Sequence, residues 1–102
     1  MLELRPTCEH CNKSLPPAST EARICSFECT FCASCVSGLL AGVCPNCGGG
    51  IVPRPVRPAQ DRKGGNWLGK HPASTKVKYR PVDPAAHAPL VAAVGGIPPA
   101  ER

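Results

Sequence analysis

Apolar side chains fall in short, separated groups along the first half of the chain and give way to prolines and glycines in the second. Leu2 and Leu4 alternate with polar residues in a lead-in that ends at Thr7 and suits a short strand. Asn12 to Ala22 holds Pro16-Pro17 among serine and threonine, which predicts a loop. Arg23-Ile24 and Thr30-Phe31 are β-prone pairs on either side of Ser26-Phe27-Glu28, which predicts a small hairpin. Ala33 to Ala41 sets Val36, Leu39 and Leu40 at i, i+3 and i+4, one face of a two-turn helix. Gly42 can serve as its stop, and Gly38 within it costs about 1 kcal/mol relative to Ala. Ile51 and Val52 suit a closing strand.

From Pro53 onward the pattern changes. The second half has nine prolines and no cysteine. Pro53 to Pro58 reads as an extended polyproline-II linker. Ala59 to Arg80 carries most of the positive charge, with Trp67 and Tyr79 interleaved, and Pro81 to Arg102 is rich in Ala, Pro, Val and Gly. The expected organisation is a folded head, residues 1–52, and a Pro/Gly-rich basic tail, residues 53–102, mostly disordered in isolation. The longest apolar candidate, Ala88 to Pro99, is far short of the roughly 18 residues a membrane span needs, so no membrane role is expected.

The head lacks the apolar mass to fold unaided. In 102 residues there is room for one small domain, and a domain of about fifty residues usually needs disulfides, metal or a partner. The N-terminus, Met-Leu-Glu-Leu-Arg, shows no positive region followed by an apolar run, so no secretory signal is expected and the cytoplasm is the expected location. Stable disulfides are rare there, which leaves metal. Charge divides the same way. The head carries three Lys/Arg against four Asp/Glu and the tail nine against three, so the formal net charge of +5 hides an acidic head and a basic tail. Four thiolates on each divalent ion would make the head more acidic still.

All eight cysteines lie within residues 8–47, in four close groups. The spacing is C-x2-C, x13, C-x3-C, x2, C-x2-C, x8, C-x2-C. Cys8, Cys11, Cys25, Cys29, Cys32, Cys35, Cys44 and Cys47 make eight ligands, enough for two closed tetrahedral sites. A site of four cysteines with no open position is the structural type. Thiolate-only sites select zinc or iron, and two structural zinc ions are expected. In Cys44-Pro-Asn-Cys47-Gly48 the proline fixes φ and the glycine can take φ > 0, so backbone N–H groups can point at the sulfurs.

The order and spacing resemble the RING finger. Cys29-Thr-Phe-Cys32-Ala-Ser-Cys35 stands where many RING domains have His-Thr-Phe-Cys-x-x-Cys, with Cys29 in place of the histidine. Over residues 8–47 the resemblance implies a cross-brace, in which Cys8, Cys11, Cys32 and Cys35 hold one ion and Cys25, Cys29, Cys44 and Cys47 the other. A sequential pairing of the first four and the last four is the rival. The head as a whole, from Met-Leu-Glu-Leu-Arg-Pro through Ile24 to Cys32, is more closely similar to a small bacterial family known as domain of unknown function 1272. That resemblance implies a zinc-binding head and no activity. The fold class expected is a small metal-stabilised α+β domain, RING-like or treble-clef, with a short hairpin, one short helix and a disordered tail.

Catalysis is not expected. Positions that RING ligases use hold Glu9-His10 inside the first knuckle and Gly48 after the last ligand, so ubiquitin-ligase-like activity is not expected either. Cys25-x3-Cys29-x-Phe31-Cys32 matches a radical-SAM cluster motif, but 102 residues cannot supply the barrel that chemistry needs. No Ser/His/Asp or paired-carboxylate arrangement stands out. His10 reads as solvated or as a supporting donor, and His71 and His87 as incidental. The leading expectation is a non-catalytic protein-interaction module with an unidentified protein partner. One alternative is nucleic-acid binding through the basic tail with Trp67 and Tyr79. Another is a thiol-based zinc or redox sensor.

Overall fold

The computed structural model describes residues 1–102. The fold is a small α+β unit in which three short antiparallel strands and one short helix surround the cysteines. Strand β1 (Ala22–Ile24) is central, flanked by β2 (Thr30–Cys32) and β3 (Val52–Pro53) in the order β2-β1-β3. The hairpin pairs Ala22 with Cys32, Arg23 with Phe31 and Ile24 with Thr30, as the β-prone pairs predict. Its connection closes where Cys25 N–H donates to the Cys29 carbonyl at 3.2 Å and Glu28 N–H to the Cys25 carbonyl at 3.1 Å. Glu28 takes φ 68° to make that turn.

The helix α1 (Ala33–Ser37) is shorter than the sequence pattern predicts. It stops at Gly38, and the chain folds back through Leu40 N–H to the Cys35 carbonyl and Gly42 N–H to the Val36 carbonyl. Ala41 and Gly42 both take positive φ in this turn. The early stop turns Leu40 fully into the core, with Val36 and Leu39 half-buried against it. The predicted apolar face is thus the right one, carried by one helical turn and a loop. The core cluster has nine buried residues, and five of them are cysteines, with Phe31, Leu15, Ala22 and Leu40 the rest. Sulfur therefore occupies the place that aliphatic side chains fill in larger domains.

Residues 53–102, expected to be mostly disordered in isolation, are threaded across the head in the full chain. Prolines cannot supply the N–H groups for regular pairing, and arginine side chains supply donors instead. Arg54, only 5% exposed, donates to the carbonyls of Arg5 (2.9 Å), Leu15 (3.2 Å) and Pro16 (3.1 Å). Arg57 ties the Leu2 carbonyl to that of His71, closing the loop between them. Main-chain bonds from Ser74 to Leu4 and from Arg80 to Glu9 lay the next stretch along the lead-in. A second helix, α2 (Pro84–Val94), follows. Asp83 caps it by accepting from Ala85 N–H at 3.0 Å, and Pro84 occupies its first turn. A 3-10 turn, Pro99–Glu101, ends the chain. No helix is long and apolar enough to cross a membrane.

Burial holds the Arg54 guanidinium below its ordinary range, yet it donates to the carbonyls of the buried residues Arg5 and Leu15, which no main-chain N–H reaches, and to that of Pro16, which Ser19 N–H also reaches. Replacing it leaves the Arg5 and Leu15 carbonyls without a donor. Arg54→Met is expected to lower the stability of the metal-loaded chain by about 2–4 kcal/mol, read as the shift in a denaturant midpoint. A loss below about 0.5 kcal/mol, the usual scatter of surface substitutions, would show that the tail's first arginine is not structural.

Candidate metal centre

Two of the four cysteine groups are built by the same turn. In the first knuckle, Asn12 N–H donates to the Cys8 carbonyl at 2.9 Å and Cys8 N–H to the Lys13 carbonyl at 2.9 Å. In the last, Gly48 N–H donates to the Cys44 carbonyl at 2.8 Å and Cys44 N–H to the Gly49 carbonyl at 2.9 Å. Each turn needs a left-handed residue just after its second cysteine: Asn12 at φ 63° and Gly48 at φ 75°. Glycine and asparagine are the residues that adopt this conformation most readily. The turns also aim backbone donors at sulfur, as Pro45 and Gly48 suggest. Gly49 N–H lies 3.4 Å from Cys47 Sγ, and Phe27 N–H lies 3.3 Å from Cys25 Sγ.

The fold brings Cys8, Cys11, Cys32 and Cys35 together with all four sulfurs within 4.8 Å of one another. Cys8 Sγ is 3.8 Å from Cys35 Sγ, and Cys11 Sγ is 3.7 Å from Cys32 Sγ. A zinc–sulfur bond of about 2.3 Å gives a tetrahedron with edges of about 3.8 Å, so this sulfur set fits a tetrahedral ion. A second group joins Cys25, Cys44 and Cys47. Cys29 is buried beside Cys25 and Asn46 and is not among the sulfurs that lie within 4.8 Å of one another. The first knuckle thus pairs with the third group, and the second with the fourth. That is the cross-brace, and the sequential pairing is not the one formed.

Burial makes several of the cluster thiols reluctant to ionise. Burial pushes Cys11, Cys29, Cys35 and Cys44 up from the ordinary thiol value. Burial acts the same way on Cys32, but hydrogen bonds from the Cys35 backbone and from the thiols of Cys35, Cys11 and Cys8 outweigh it and hold Cys32 down. A divalent ion would offset the cost of ionising buried thiols by displacing their protons.

One residue that the sequence marks only as a departure from the RING pattern ties the two clusters together. Glu9, only 1% exposed, lies between the two cysteines of the first knuckle. Its carboxylate accepts from Thr30 N–H (2.7 Å), Arg5 (3.1 Å), Asn46 Nδ2 (3.3 Å) and Arg80 (3.1 Å). Asn46 lies between the two cysteines of the last knuckle and also bonds the Cys29 thiol, which it draws down against the effect of burial. Glu9 therefore links the lead-in, β2, the opposite knuckle and the tail. His10, beside it, accepts Val82 N–H at Nδ1 (2.8 Å). His87, which the sequence marks as incidental, is buried and meets the Leu40 carbonyl through Nε2 at 3.0 Å. His71 is half-buried, its carbonyl held by Arg57. The only signal that could single out Glu9 is a carboxylate placed between two ligands of a neutral-to-acidic head.

The largest cleft, about 620 Å³, runs between the β1–β3 edge and the C-terminal 3-10 turn. Its walls offer glycines, aliphatic side chains, Cys25 and Ser26, with no histidine or carboxylate.

Fold and sulfur geometry together define a cross-braced, cysteine-rich module whose two clusters can hold metal ions. The family model for a protein of unknown function, DUF1272, matches residues 1–57, and the chain belongs to that family. It is 56% identical over 81 residues to an uncharacterised protein of Rhizobium meliloti (strain 1021), covering 79% of this chain and 89% of the relative. That match is longer than the family model, so the likeness runs on into the tail. No solved structure matches.

Two outcomes test the ligand set. Cys29→Ser is expected to weaken the second site by tenfold or more, on the order of what lost metal-supporting groups cost, while the first site keeps its affinity. Competition against a chromophoric chelator reads both, and two ions at unchanged affinity would remove Cys29 from the set. Metal affinity is also expected to rise with pH, because ions and protons compete for the same sulfurs. Titration calorimetry in buffers of different ionisation enthalpy should show proton release at neutral pH, and its absence would mean that the thiols are not the ligands.

Proposed function

We propose that this protein is a non-catalytic protein-interaction module of the cytoplasm whose head is held folded by two structural zinc ions in a RING-like, treble-clef arrangement. The observation that carries the reading is the core itself, five of whose nine residues are cysteines, with sulfur separations in the first cluster at tetrahedral edge lengths. Closed S4 sites with no open position hold metal for structure and leave no coordination site for a substrate. All-thiolate donors favour zinc among hard and borderline divalent ions. Eight free thiols also suit a reducing compartment. What such a head offers is a rigid surface.

A second reading is favoured by how the tail's cations are distributed. Arg54, Arg57, Arg80 and Arg102 are bonded to head or tail groups. Arg62, Lys63, Lys70, Lys76 and Lys78 are exposed and form no ion pair, in a stretch with no acidic residue between Asp61 and Asp83. Phosphates of a single-stranded nucleic acid could follow this ridge, with exposed Tyr79 as a stacking platform. Trp67 contributes less, because its ring is folded over Gly69.

Elemental analysis of protein purified without added metal should give two zinc ions per chain, and chelation should abolish the far-UV circular dichroism of the head. One ion, or iron with visible absorption, would sink the two-zinc reading. For the second reading, Lys76→Glu with Lys78→Glu should abolish salt-sensitive binding of a labelled single-stranded oligonucleotide, and no binding by the unmodified chain would discard it.

A further inference from the structure

The tail from Arg80 onward lies on the head as a peptide lies in a receptor. Arg80 docks twice on Glu9, its N–H to the carbonyl at 2.7 Å and its guanidinium to Oε1 at 3.1 Å. Two residues on, Val82 N–H reaches His10 Nδ1 at 2.8 Å. Asp83 then caps α2, and His87 reaches the Leu40 carbonyl. Leu90 lies over Gly48 of the last knuckle. The surface beneath is formed by both knuckles and the loop after α1.

This strap is held mainly by specific polar contacts, and Val82 is its one side chain packed against the core cluster. Of the eleven residues of α2, only His87 is buried, and its Nδ1 has no partner. An open cleft of about 220 Å³ remains between the strap and the last knuckle, bounded by Pro45, Asn46, Val82, Asp83, His87 and Leu90. A segment with few buried apolar contacts belongs to the low-stability end of a fold. The surface under it does not depend on it. Without Arg80, Glu9 still holds Arg5, Thr30 N–H and Asn46, so the anionic anchor stays in place.

We propose that residues 80–90 are a resident pseudo-ligand, and that the groove beneath them binds a segment of another protein with the same chemistry. That segment presents arginine to Glu9, then proline and an aliphatic residue whose N–H meets His10, then an acid-capped helix with a histidine facing the Leu40 carbonyl. Charge complementarity selects the arginine, since Glu9 is a buried carboxylate with one donor place that the head itself does not fill. Tethered to the same chain, the strap competes intramolecularly with any incoming segment. It therefore raises the apparent dissociation constant of an incoming segment by the inverse of the open fraction. The inference rests on the interaction-module reading and supplies its site and partner class.

The test uses the full-length, metal-loaded chain and a fluorescent synthetic peptide of residues 78–94. The double variant Arg80→Ala/His87→Ala, which loosens the strap and leaves the groove intact, should bind the peptide at least about tenfold more tightly than the unmodified chain. A peptide with alanine at the Arg80 position should lose at least about tenfold of that affinity, a comparison that needs no further change in the protein. Adding Glu9→Gln should abolish the gain, and a retained content of two metal ions certifies the fold. Equal binding by the strapped and loosened chains, or indifference to the peptide's arginine, overturns the proposal. So does a concentration-dependent dimer of the unmodified chain that the peptide dissociates, since the occupant would then be a second copy. Failure to bind with two zinc ions present defeats the groove alone, whereas failure with no zinc defeats the interaction-module reading as well.

Discussion

Mutual packing of buried sulfurs is the constraint on which the rest of this structure depends. Three strands of two or three residues and a single helical turn cannot sustain themselves. The hairpin strands and α1 are positioned because each starts or ends on or beside a cysteine, and β3 follows by pairing with β1. β1 runs into Cys25, β2 ends at Cys32, α1 contains Cys35, and the turn after α1 delivers Cys44. Because the clusters take ligands from alternating groups, neither site can form without drawing in the chain that belongs to the other. A sequential arrangement would make two beads on a string. The interleaved one makes a single body, with Phe31 and Leu40 enclosed between the sulfurs.

Glu9 and Asn46 extend that interleaving beyond the ligands. Each stands between the two cysteines of a knuckle, and they touch each other. A buried carboxylate is costly unless surrounded by donors, and here the donors come from four separate stretches of chain. The arrangement therefore records whether those stretches have all arrived. Burial chiefly, and the nearby charge of Glu9 as well, oppose ionisation of the Cys29 thiol, and a cation on the sulfurs would offset both. Arg5 is the counterweight. Burial disfavours its charge, but Glu3, Glu9 and Cys29 outweigh that and hold it firmly protonated.

Features carried by local spacing were legible in the sequence. The hairpin followed from two β-prone pairs with three residues between the flanking cysteines. The left-handed turn at Gly48 followed from its glycine, whereas the matching turn at Asn12 has only an asparagine to announce it. The helix face was read correctly and its length was not, because Gly38 ends what the periodicity continues. The ligand pairing came through family resemblance, since eight cysteines at these spacings allow both arrangements. What escaped depends on distant contacts. Asp83-Pro84 is a helix start, but Pro89 and Gly95-Gly96 obscured it. Apart from Arg5, four positions away, the partners of the Glu9 side chain lie 21 to 71 positions off, and those of the His87 and Arg54 side chains lie 38 to 49 off, so no short window of sequence holds them.

The edge strand β3 has a consequence for the behaviour of the chain in company. A sheet of three short strands with an outward-facing Val52 would ordinarily invite a neighbour to add a fourth strand. Pro53 lies within that edge and Pro55 follows two residues later, so every second position lacks the donor that a ladder requires. The opposite edge is closed from within, by Glu9 against Thr30. The prolines that mark the start of the tail thus also make the sheet self-limiting. A head with exposed apolar side chains such as Phe27 and Val52 is thereby kept from polymerising through its backbone.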